Sequence, residues 1–285
     1  MVTRTIYTVA ELHSVIVKHK SDGKTVGFVP TMGALHPGHL TLMQKSLDEN
    51  GITVCSVYVN PTQFDKQEDL DSYPQVLDHD VALLDSIGVD YCFAPSNAEV
   101  YPNGMDYAVD VNLDGIDEKL EGEHRPGHFA GVVQVVHRLL EIVKPHKLYM
   151  GQKDFQQFSI IGKMIDDLKM PTVLVVCPIS REDSGLARSS RNVRLSPIDR
   201  ARACIINQTL LEAKEDITTL SLEALISRAR KRMNWEWTDL EYFEIIDGYT
   251  LEPISNVRHH SYIVAALAVW IGGVRLIDNC ILLKE

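Results

Sequence analysis

The chain has 285 residues, 45% of them hydrophobic, and its 28 Lys and Arg against 39 Asp and Glu give a formal net charge of −11. This length lies where one domain commonly becomes two, so we expect a large domain and a smaller one. The acidic balance has the wrong sign for a surface that collects phosphate backbone, which disfavours a nucleic-acid partner.

The five cysteines lie far apart, with neither a Cys-x-x-Cys pair nor a zinc-type spacing. They are typical of reduced, mostly buried thiols in a cytosolic protein. The N-terminus lacks the apolar run of a signal peptide, and the apolar stretch at residues 262–273 is too short to span a bilayer. We therefore expect a cytoplasmic protein without a membrane contact.

Short β-rich runs alternate with helical patterns between residues 26 and 178, which is typical of a doubly wound parallel sheet. The predicted strands span residues 26–29, 52–59, 89–93, 147–150 and 172–177. The predicted helices span residues 39–49, 73–87, 128–143 and 155–168. Because ligands bind outside the carboxyl ends of such strands, chemistry is expected in the loops after Val29, Val59 and Met150.

The pattern changes after Cys177. A polar loop at residues 180–196 precedes two predicted helices, at 197–215 and 221–233, and β-like runs at 239–246, 262–269 and 274–277. This helix-then-strand order predicts a small α+β domain. The expected division is a Rossmann-like catalytic domain at residues 1–180 and a C-terminal α+β lid domain at residues 181–285.

The loop at residues 30–39 joins a strand to a helix and contains two histidines, His36 and His39. Gly33 and Gly38 let the backbone approach a ligand, and the start of the following helix offers free N–H groups to an anion. The imidazoles could donate hydrogen bonds to charge that builds on an α-phosphate. A plain turn with surface histidines and a zinc pair are the alternatives, and the strand-to-helix context favours a nucleotide.

A second loop, Asn-Pro-Thr-Gln-Phe from Asn60, closes the next strand. The amides of Asn60 and Gln63 present donors and acceptors that suit a hydroxy acid more than a phosphate. A strand-ending turn without a ligand would also explain this composition.

The loop from Gly151 again joins a strand to a helix. Lys153 can reach a phosphate, Asp154 can accept from ribose hydroxyls, and Gln157 can point across the cleft. The alternative is that Lys153 and Asp154 are solvent-exposed residues of a first helical turn.

Consecutive hydroxyl side chains lie beside arginines in the loop at residues 181–192. Ser189, Ser190 and the planar fork of Arg191 suit the β- and γ-phosphates of a nucleotide. An exposed polar linker is the simpler interpretation. At a domain junction, however, such a segment could close over a cleft and exclude water from a reactive intermediate.

With these four loops the sequence resembles the pantoate–β-alanine ligase (pantothenate synthetase) family of the nucleotidylyltransferase superfamily. The His-x-Gly-His signature at residues 36–39 indicates only the superfamily, and its combination with Asn-Pro-Thr-Gln-Phe and Ser-Ser-Arg-Asn indicates this family. The resemblance also covers Tyr-Pro at 73–74, Gly-Glu-His-Arg-Pro-Gly-His-Phe-Ala-Gly-Val-Val at 122–133 and Val-Arg-Leu-Ile-Asp-Asn at 274–279.

The resemblance implies a nucleotidylyltransferase-type fold and an ATP-dependent condensation of pantoate with β-alanine. A pantoate carboxylate oxygen attacks the α-phosphorus of Mg-ATP to give pantoyl adenylate and pyrophosphate. The β-alanine amine then attacks the acyl carbon, and pantothenate and AMP leave. ATP as substrate, Mg²⁺ and a homodimer are further implications.

The resemblance also assigns residues. The implied catalytic residues are His39, usually described as the proton donor, His36 and Lys153. We interpret His39 first as a stabiliser of phosphate charge, because a carboxylate is already ionised at neutral pH. The implied ATP contacts are Met32, Gly33, Ala34, Leu35, His36, Pro37, Gly38, His39, Gly151, Gln152, Lys153, Asp154, Ser180, Arg188, Ser189, Ser190 and Arg191. Gln63 and Gln157 are the implied pantoate pair, Asn60 and Tyr73 line the cleft, and Asp80 matches a position linked to the metal.

Three positions depart from the family pattern: Arg188 stands where Met is usual, Gln75 where Arg is common, and His79 where an acidic or polar residue is frequent. The main alternative is another nucleotidylyltransferase with the same signature. A tRNA synthetase is disfavoured by the acidic charge. A catalytically silent nucleotide-binding regulator would not need the glutamines, both histidines and Lys153 together.

Overall fold

The computed structural model describes residues 2–64 and 67–285, and the chain divides into two compact units. The first unit is the chain up to Gly151 together with Gln157–Pro178. The second unit consists of Gln152–Gln156 and Ile179–Glu285. The second unit therefore includes a short segment that the sequence alone placed in the first domain.

Strands and helices follow the alternation predicted for residues 26–178, and one strand and one helix that were not predicted precede it. The strands are β1 (Arg4–Ile6), β2 (Val26–Thr31), β3 (Ile52–Val57), β4 (Tyr91–Phe93), β5 (Lys147–Gly151), β6 (Val173–Cys177), β7 (Thr238–Asp247), β8 (Tyr262–Ile271) and β9 (Val274–Lys284). The α-helices are α1 (Val9–Ser21), α2 (Pro37–Glu49), α3 (Gln67–Asp71), α4 (Leu77–Ile87), α5 (Asn97–Val100), α6 (Glu121–His124), α7 (His128–Val143), α8 (Phe155–Asp167), α9 (Pro197–Arg202), α10 (Cys204–Asp216) and α11 (Leu222–Arg232).

The first unit is built on a six-stranded sheet in the order β1-β4-β3-β2-β5-β6, in which every pairing is parallel. The apolar runs of β2 and β3 are buried because helices cover the faces of such a sheet. The chain proceeds from β2 to β3 on one side and reaches β5 on the other. The carboxyl end of β2 is therefore a topological switch point, where ligands bind in open α/β sheets. The predicted doubly wound parallel sheet is confirmed.

Two helix boundaries differ from the prediction for local reasons. The helix predicted from residue 73 begins at Leu77, since Pro74 disfavours a helical backbone at the residue before it. The helix predicted at residues 197–215 is split at Ala203 into α9 and α10. The first change takes Tyr73 out of the predicted helix and leaves Asp80 within it, and the second change affects no predicted site residue.

The second unit contains an antiparallel sheet in the order β7-β8-β9, with α10 packed on β9 and α11 on β7. The central strand β8 is buried along nearly its whole length, and Phe243, Leu267, Ile206 and Leu210 lie in the shared apolar core. This arrangement confirms the predicted α+β domain. Strand β9 continues to Lys284, whereas the prediction ended it at residue 277. None of the helices in the described part of the chain combines the length and hydropathy that crossing a bilayer requires.

Candidate active site

The loop after β2 has an unusual backbone that a buried carboxylate holds in place. Gly33 and Ala34 both lie in the left-handed region, with φ of 80° and 50°. For a residue with a Cβ this conformation costs roughly 1–2 kcal/mol. The fully buried Asp80 of α4 offsets that cost, because Oδ2 accepts from the Ala34 N–H at 2.9 Å and Oδ1 from the Leu35 N–H at 2.7 Å. Thr31 Oγ1 accepts from the Gly33 N–H at 3.1 Å.

Asp80 and the loop fit each other closely. A Cβ added at Gly33 would lie 2.8 Å from Asp80 Oδ2 and 2.9 Å from Val57 Cγ1, so only glycine fits there. Each carboxylate oxygen of Asp80 accepts from one backbone N–H group, so this side chain holds the loop, and its predicted link to the metal stays a prediction. Among residues 2–64 and 67–285, no group of three or more His, Cys, Asp or Glu side chains could hold a metal ion.

The two signature histidines cap the start of α2 and face each other. Their ring centroids lie 4.0 Å apart. His36 Nδ1 accepts from the Gly38 N–H at 3.1 Å, and His39 Nδ1 accepts from the His36 N–H at 3.3 Å. Since Nδ1 is an acceptor in both rings, each neutral imidazole carries its proton on Nε2. Both rings are therefore hydrogen-bond donors at Nε2, the role that a developing phosphate charge requires.

The loop after β3 places Gln63 beside the first loop. Gln63 is buried, and its Nε2 donates to Met32 Sδ at 3.1 Å. Asn60 is 1% exposed; its Nδ2 donates to Gln63 Oε1 and Gly131 O, and its Oδ1 accepts from Tyr101 O–H. Burial raises the pKa of Tyr101 to about 12, so its hydroxyl remains a donor at neutral pH. This geometry gives Asn60 a supporting role for Gln63, and its predicted place in the lining of the cleft stays a prediction.

The stretch at residues 122–133, which sequence reasoning left without a role, supports the same loop. His128 is buried, and its Nδ1–H donates to Gln63 O at 2.8 Å, while its Nε2 accepts from Arg125 Nη1 at 3.1 Å. A Cβ on Gly131 would lie 2.3 Å from Thr62 O and 2.7 Å from Gln63 Cα. Helix α7 therefore packs against the backbone that carries Gln63.

Two further predicted residues lie in the first unit. Tyr73 is half-buried and packs edge-to-face with Phe64, with ring centroids 5.8 Å apart. Gln157 is half-buried in the first turn of α8. The first unit thus contains His36, His39, Gln63 and Gln157.

Lys153 and the residues predicted for the β- and γ-phosphates lie in the second unit, where several line one cavity. Its lining includes Lys153, Ser189, Arg191, Arg275 and Asp278. The Lys153 side chain is 17% exposed, and its Nζ lies 3.4 Å from Asp154 Oδ1. Ser189 Oγ caps the 3₁₀ turn Ser190–Arg194 by accepting from the Arg191 N–H. The structure therefore gathers Lys153 and the serine-arginine segment, which lie far apart in sequence.

The loop at residues 180–188, before this turn, is held by hydrogen bonds between its own residues. Arg188 N donates to Ser180 O at 2.9 Å, and Arg188 Nε donates to Arg181 O at 3.1 Å. Hydrogen bonds from Arg200 hold the pKa of Glu182 below its usual range. Arg188, the departure from the family pattern, thus contributes to the loop's own hydrogen bonding.

A family model described as Pantoate-beta-alanine ligase matches residues 4–281. The pantothenate synthetase of Acetivibrio thermocellus is 45% identical over 284 residues, which cover 98% of this chain and 99% of that protein. That of Bacteroides fragilis is 44% identical over 281 residues, covering 97% and 98% of the two chains.

Solved structures of the same family are similar to this chain over nearly its whole length. The crystal structure of pantothenate synthetase from Thermus thermophilus superposes with a TM-score of 0.91 at 39% identity, covering 99% of this chain and all of that one. The pantoate-beta-alanine ligase from Francisella tularensis, complexed with beta-gamma ATP and beta-alanine, gives a TM-score of 0.77 at 36% identity, covering 98% of each chain. The chain therefore belongs to the pantoate–β-alanine ligase family.

Proposed function

We propose that this chain condenses pantoate with β-alanine at the expense of ATP, through a pantoyl-adenylate intermediate. The observation that carries the proposal is the contact between Gln63 Nε2 and Met32 Sδ. It places the side chain suited to a hydroxy acid directly beside the loop suited to a nucleotide. Membership of the family supplies the identity of the acid and the amine.

In the first step a pantoate carboxylate oxygen bonds to the α-phosphorus of ATP, and the bond from that phosphorus to the bridging oxygen of pyrophosphate breaks. The carboxylate needs no base, because it is ionised at neutral pH. Nε2–H of His39 and His36 stabilises the charge on the α-phosphate oxygens, and their caps at Nδ1 hold the rings in this tautomer. Gln63 and Gln157 orient pantoate, and Tyr73 lines its site.

Four residues are proposed to bind the leaving pyrophosphate. Lys153 provides a mobile positive charge, Ser189 and Ser190 provide hydroxyl donors, and Arg191 provides a planar fork. Of these residues, Lys153, Ser189 and Arg191 line the cavity described above. Asp154 accepts from the ribose hydroxyls, and Ser180 and Arg188 complete the nucleotide contacts. In the second step the neutral amine of β-alanine attacks the acyl carbon. AMP leaves with the bonding electrons, and the amine loses a proton.

ATP–pyrophosphate exchange tests this function. Radiolabelled pyrophosphate should enter ATP when pantoate is present and β-alanine is absent, because adenylation is then reversible. A carboxylic acid of the same size without hydroxyls serves as the matched control and should support little exchange. Exchange that is indifferent to pantoate, or absent from folded protein, would contradict the proposal.

Mg²⁺ enters with ATP in this proposal, since Mg²⁺ usually binds substrate phosphates and water with only one or two carboxylates. Asp80 is not one of them. Replacing Asp80 by Asn should slow exchange about tenfold, because an amide has one acceptor oxygen for two N–H groups and leaves a buried donor unpaired at about 1–3 kcal/mol. The loss should be the same at every Mg²⁺ concentration.

The exposed Asp78 on the same helix gives the matched control, and Asp78→Asn should change nothing. A metal ligand behaves differently: its loss weakens Mg²⁺ binding. If excess Mg²⁺ or Mn²⁺ restored the activity of Asp80→Asn, the metal role would be correct and the loop-holding role wrong.

We also propose that the chain forms a homodimer through β6. This strand ends the described sheet, and β5 is its pairing partner there. Val173 is 59% exposed and Val176 37% exposed, so an apolar strand edge meets solvent. A two-fold axis would pair β6 with its own copy in antiparallel orientation.

Sedimentation should show a dimer at micromolar concentration, and Val176→Lys should convert it to a monomer. Val17→Lys, at a position on α1 that is 50% exposed, is the matched control and should leave the dimer intact. A wild-type monomer would refute the proposed interface.

A cytoplasmic, reducing location is the last part of the proposal. All five cysteines are free thiols, and Cys55, Cys92 and Cys177 are buried. Burial raises the pKa of Cys92 to about 12, which keeps this thiol protonated and unreactive. Titration of the denatured purified chain should find five thiols; fewer would indicate disulfides and an oxidising compartment.

A further inference from the structure

Two adjacent polar residues of β9, Asp278 and Asn279, have no part in the proposed reaction, yet they are 3% and 2% exposed. They belong to the Val-Arg-Leu-Ile-Asp-Asn segment that the sequence singled out without a role. Burying a carboxylate and an amide is costly unless their hydrogen bonds are made. Their partners therefore indicate what they do.

The Asn279 amide is fully engaged with the loop that carries Lys153. Its Nδ2 donates to Gln152 O at 3.0 Å and to Lys153 O at 2.9 Å, and its Oδ1 accepts from Gln152 Nε2 at 3.1 Å. The amide thus donates both of its N–H groups to consecutive backbone carbonyls. The backbone of Lys153 is fixed at its own carbonyl, and its side chain leads into the cavity lined by Ser189 and Arg191.

Asp278 ties the neighbouring loop to the same strand. Its carboxylate pairs with Arg181 through two bonds, Nη1 to Oδ2 at 2.6 Å and Nη2 to Oδ1 at 3.0 Å. Oδ1 also accepts from the Asn279 N–H at 2.8 Å. Arg181 Nη1 donates further to Gly185 O at 3.0 Å. Burial raises the pKa of Asp278, and the Arg181 pair opposes that rise.

One dipeptide at the middle of β9 therefore anchors both segments that provide the phosphate ligands. Stability alone is a weak reason for such a network, because apolar side chains of similar volume often stabilise a core equally well. An amide that donates to two adjacent carbonyls instead fixes the backbone orientation of the residues that carry them, here Gln152 and Lys153. Since small misplacements of a catalytic group slow reactions strongly, this orientation matters for Lys153.

We propose that Asn279 is a positioning residue that orients the Lys153 ammonium toward the nucleotide phosphates. The inference rests on the proposed function for the identity of the reaction. Asn279 itself touches no substrate and acts through the backbone of Lys153. Removing Asn279 should therefore matter only while Lys153 is present.

A double-mutant cycle tests this dependence. Asn279→Ala should lower the rate of pantoate-dependent ATP–pyrophosphate exchange about tenfold in the wild-type background. In the Lys153→Ala background the same change should alter the rate less than about twofold, because the group that Asn279 positions is gone. Cys280→Ala, at the next position of the strand, is the matched control and should leave both rates unchanged.

A purely structural role predicts a different pattern. Asn279→Ala would then lower the rate by the same factor in both backgrounds, and this result would overturn the proposal. Asn279→Ser provides a milder change, since its hydroxyl can donate to one of the two carbonyls. Asn279→Ser should lose less activity than Asn279→Ala. If the alanine variant does not fold, Asn279→Ser takes its place in the double-mutant cycle.

Wild type, Asn279→Ala, Lys153→Ala and the double variant are also compared for ATP affinity by calorimetry without pantoate. If exchange does not depend on pantoate, coupling between Asn279 and Lys153 in ATP binding would support the positioning role, and additive losses of ATP affinity would overturn it. A failure of the proposed reaction is thereby separated from a failure of this inference.

Discussion

Replacing His39 by Ala is expected to slow pantoate-dependent ATP–pyrophosphate exchange by roughly 10²–10³, with a much smaller change in ATP affinity. The neutral ring donates from Nε2, because its Nδ1 accepts from the His36 N–H at 3.3 Å. A donor aimed at charge that develops during the reaction contributes mainly to the transition state. Its removal therefore lowers kcat more than it raises the ATP dissociation constant.

His13→Ala, at an exposed position on α1, is the matched control and should have the activity of wild type. The measurements are the exchange rate at saturating substrates and the ATP affinity by calorimetry. Equal losses of rate and affinity would show that His39 merely binds the nucleotide. His39→Gln retains a donor and should recover part of the rate.

Gly131→Ala is expected to have the second large effect, although the residue touches no substrate. The added Cβ would lie 2.3 Å from Thr62 O and 2.7 Å from Gln63 Cα, and neither backbone atom can rotate away. The Asn60–Gln63 loop must therefore shift. A displacement of about 1 Å should lower kcat/KM for pantoate by roughly 10². The overpacking should also reduce the free energy of unfolding by about 1–3 kcal/mol.

Gly162→Ala provides the comparison within α8. Its Cβ would meet Leu174 Cδ2 at 3.3 Å, a side-chain atom that can move. Steady-state kinetics with varied pantoate, together with denaturant unfolding, should show wild-type activity for Gly162→Ala and a pantoate-specific loss for Gly131→Ala. An unchanged kcat/KM for pantoate in Gly131→Ala would refute the tight packing of α7 against this loop.

The sheet and the positions of the loops could be predicted because they depend on short-range patterns. Each of the five predicted strands is present within two residues at either end. Parallel strands bring their carboxyl ends to one edge, which is enough to place the loop with His36 and His39 in a candidate site. The strand-to-helix step at Pro37 also marks the start of α2.

The contacts that shape those loops could not be predicted, because each joins residues that are far apart in the sequence. Asp80 contacts Ala34, His128 contacts Gln63, and Asn279 contacts Lys153. Nothing local distinguishes these side chains from surface residues of their elements. Buried polar residues also interrupt the apolar pattern of β9, which is why its predicted end at residue 277 falls just before Asp278.

The segment Gln152–Gln156 has a consequence for how this protein can be divided. The chain passes from the first unit to the second after Gly151, returns after Gln156 and crosses again after Pro178. A single cut therefore cannot separate the two units. A fragment that begins at Ile179 would lack the carbonyls of Gln152 and Lys153, and the Asn279 amide would lose both acceptors in the interior of its sheet. Gene fusions, truncations and circular permutations should keep this five-residue insertion with the C-terminal half.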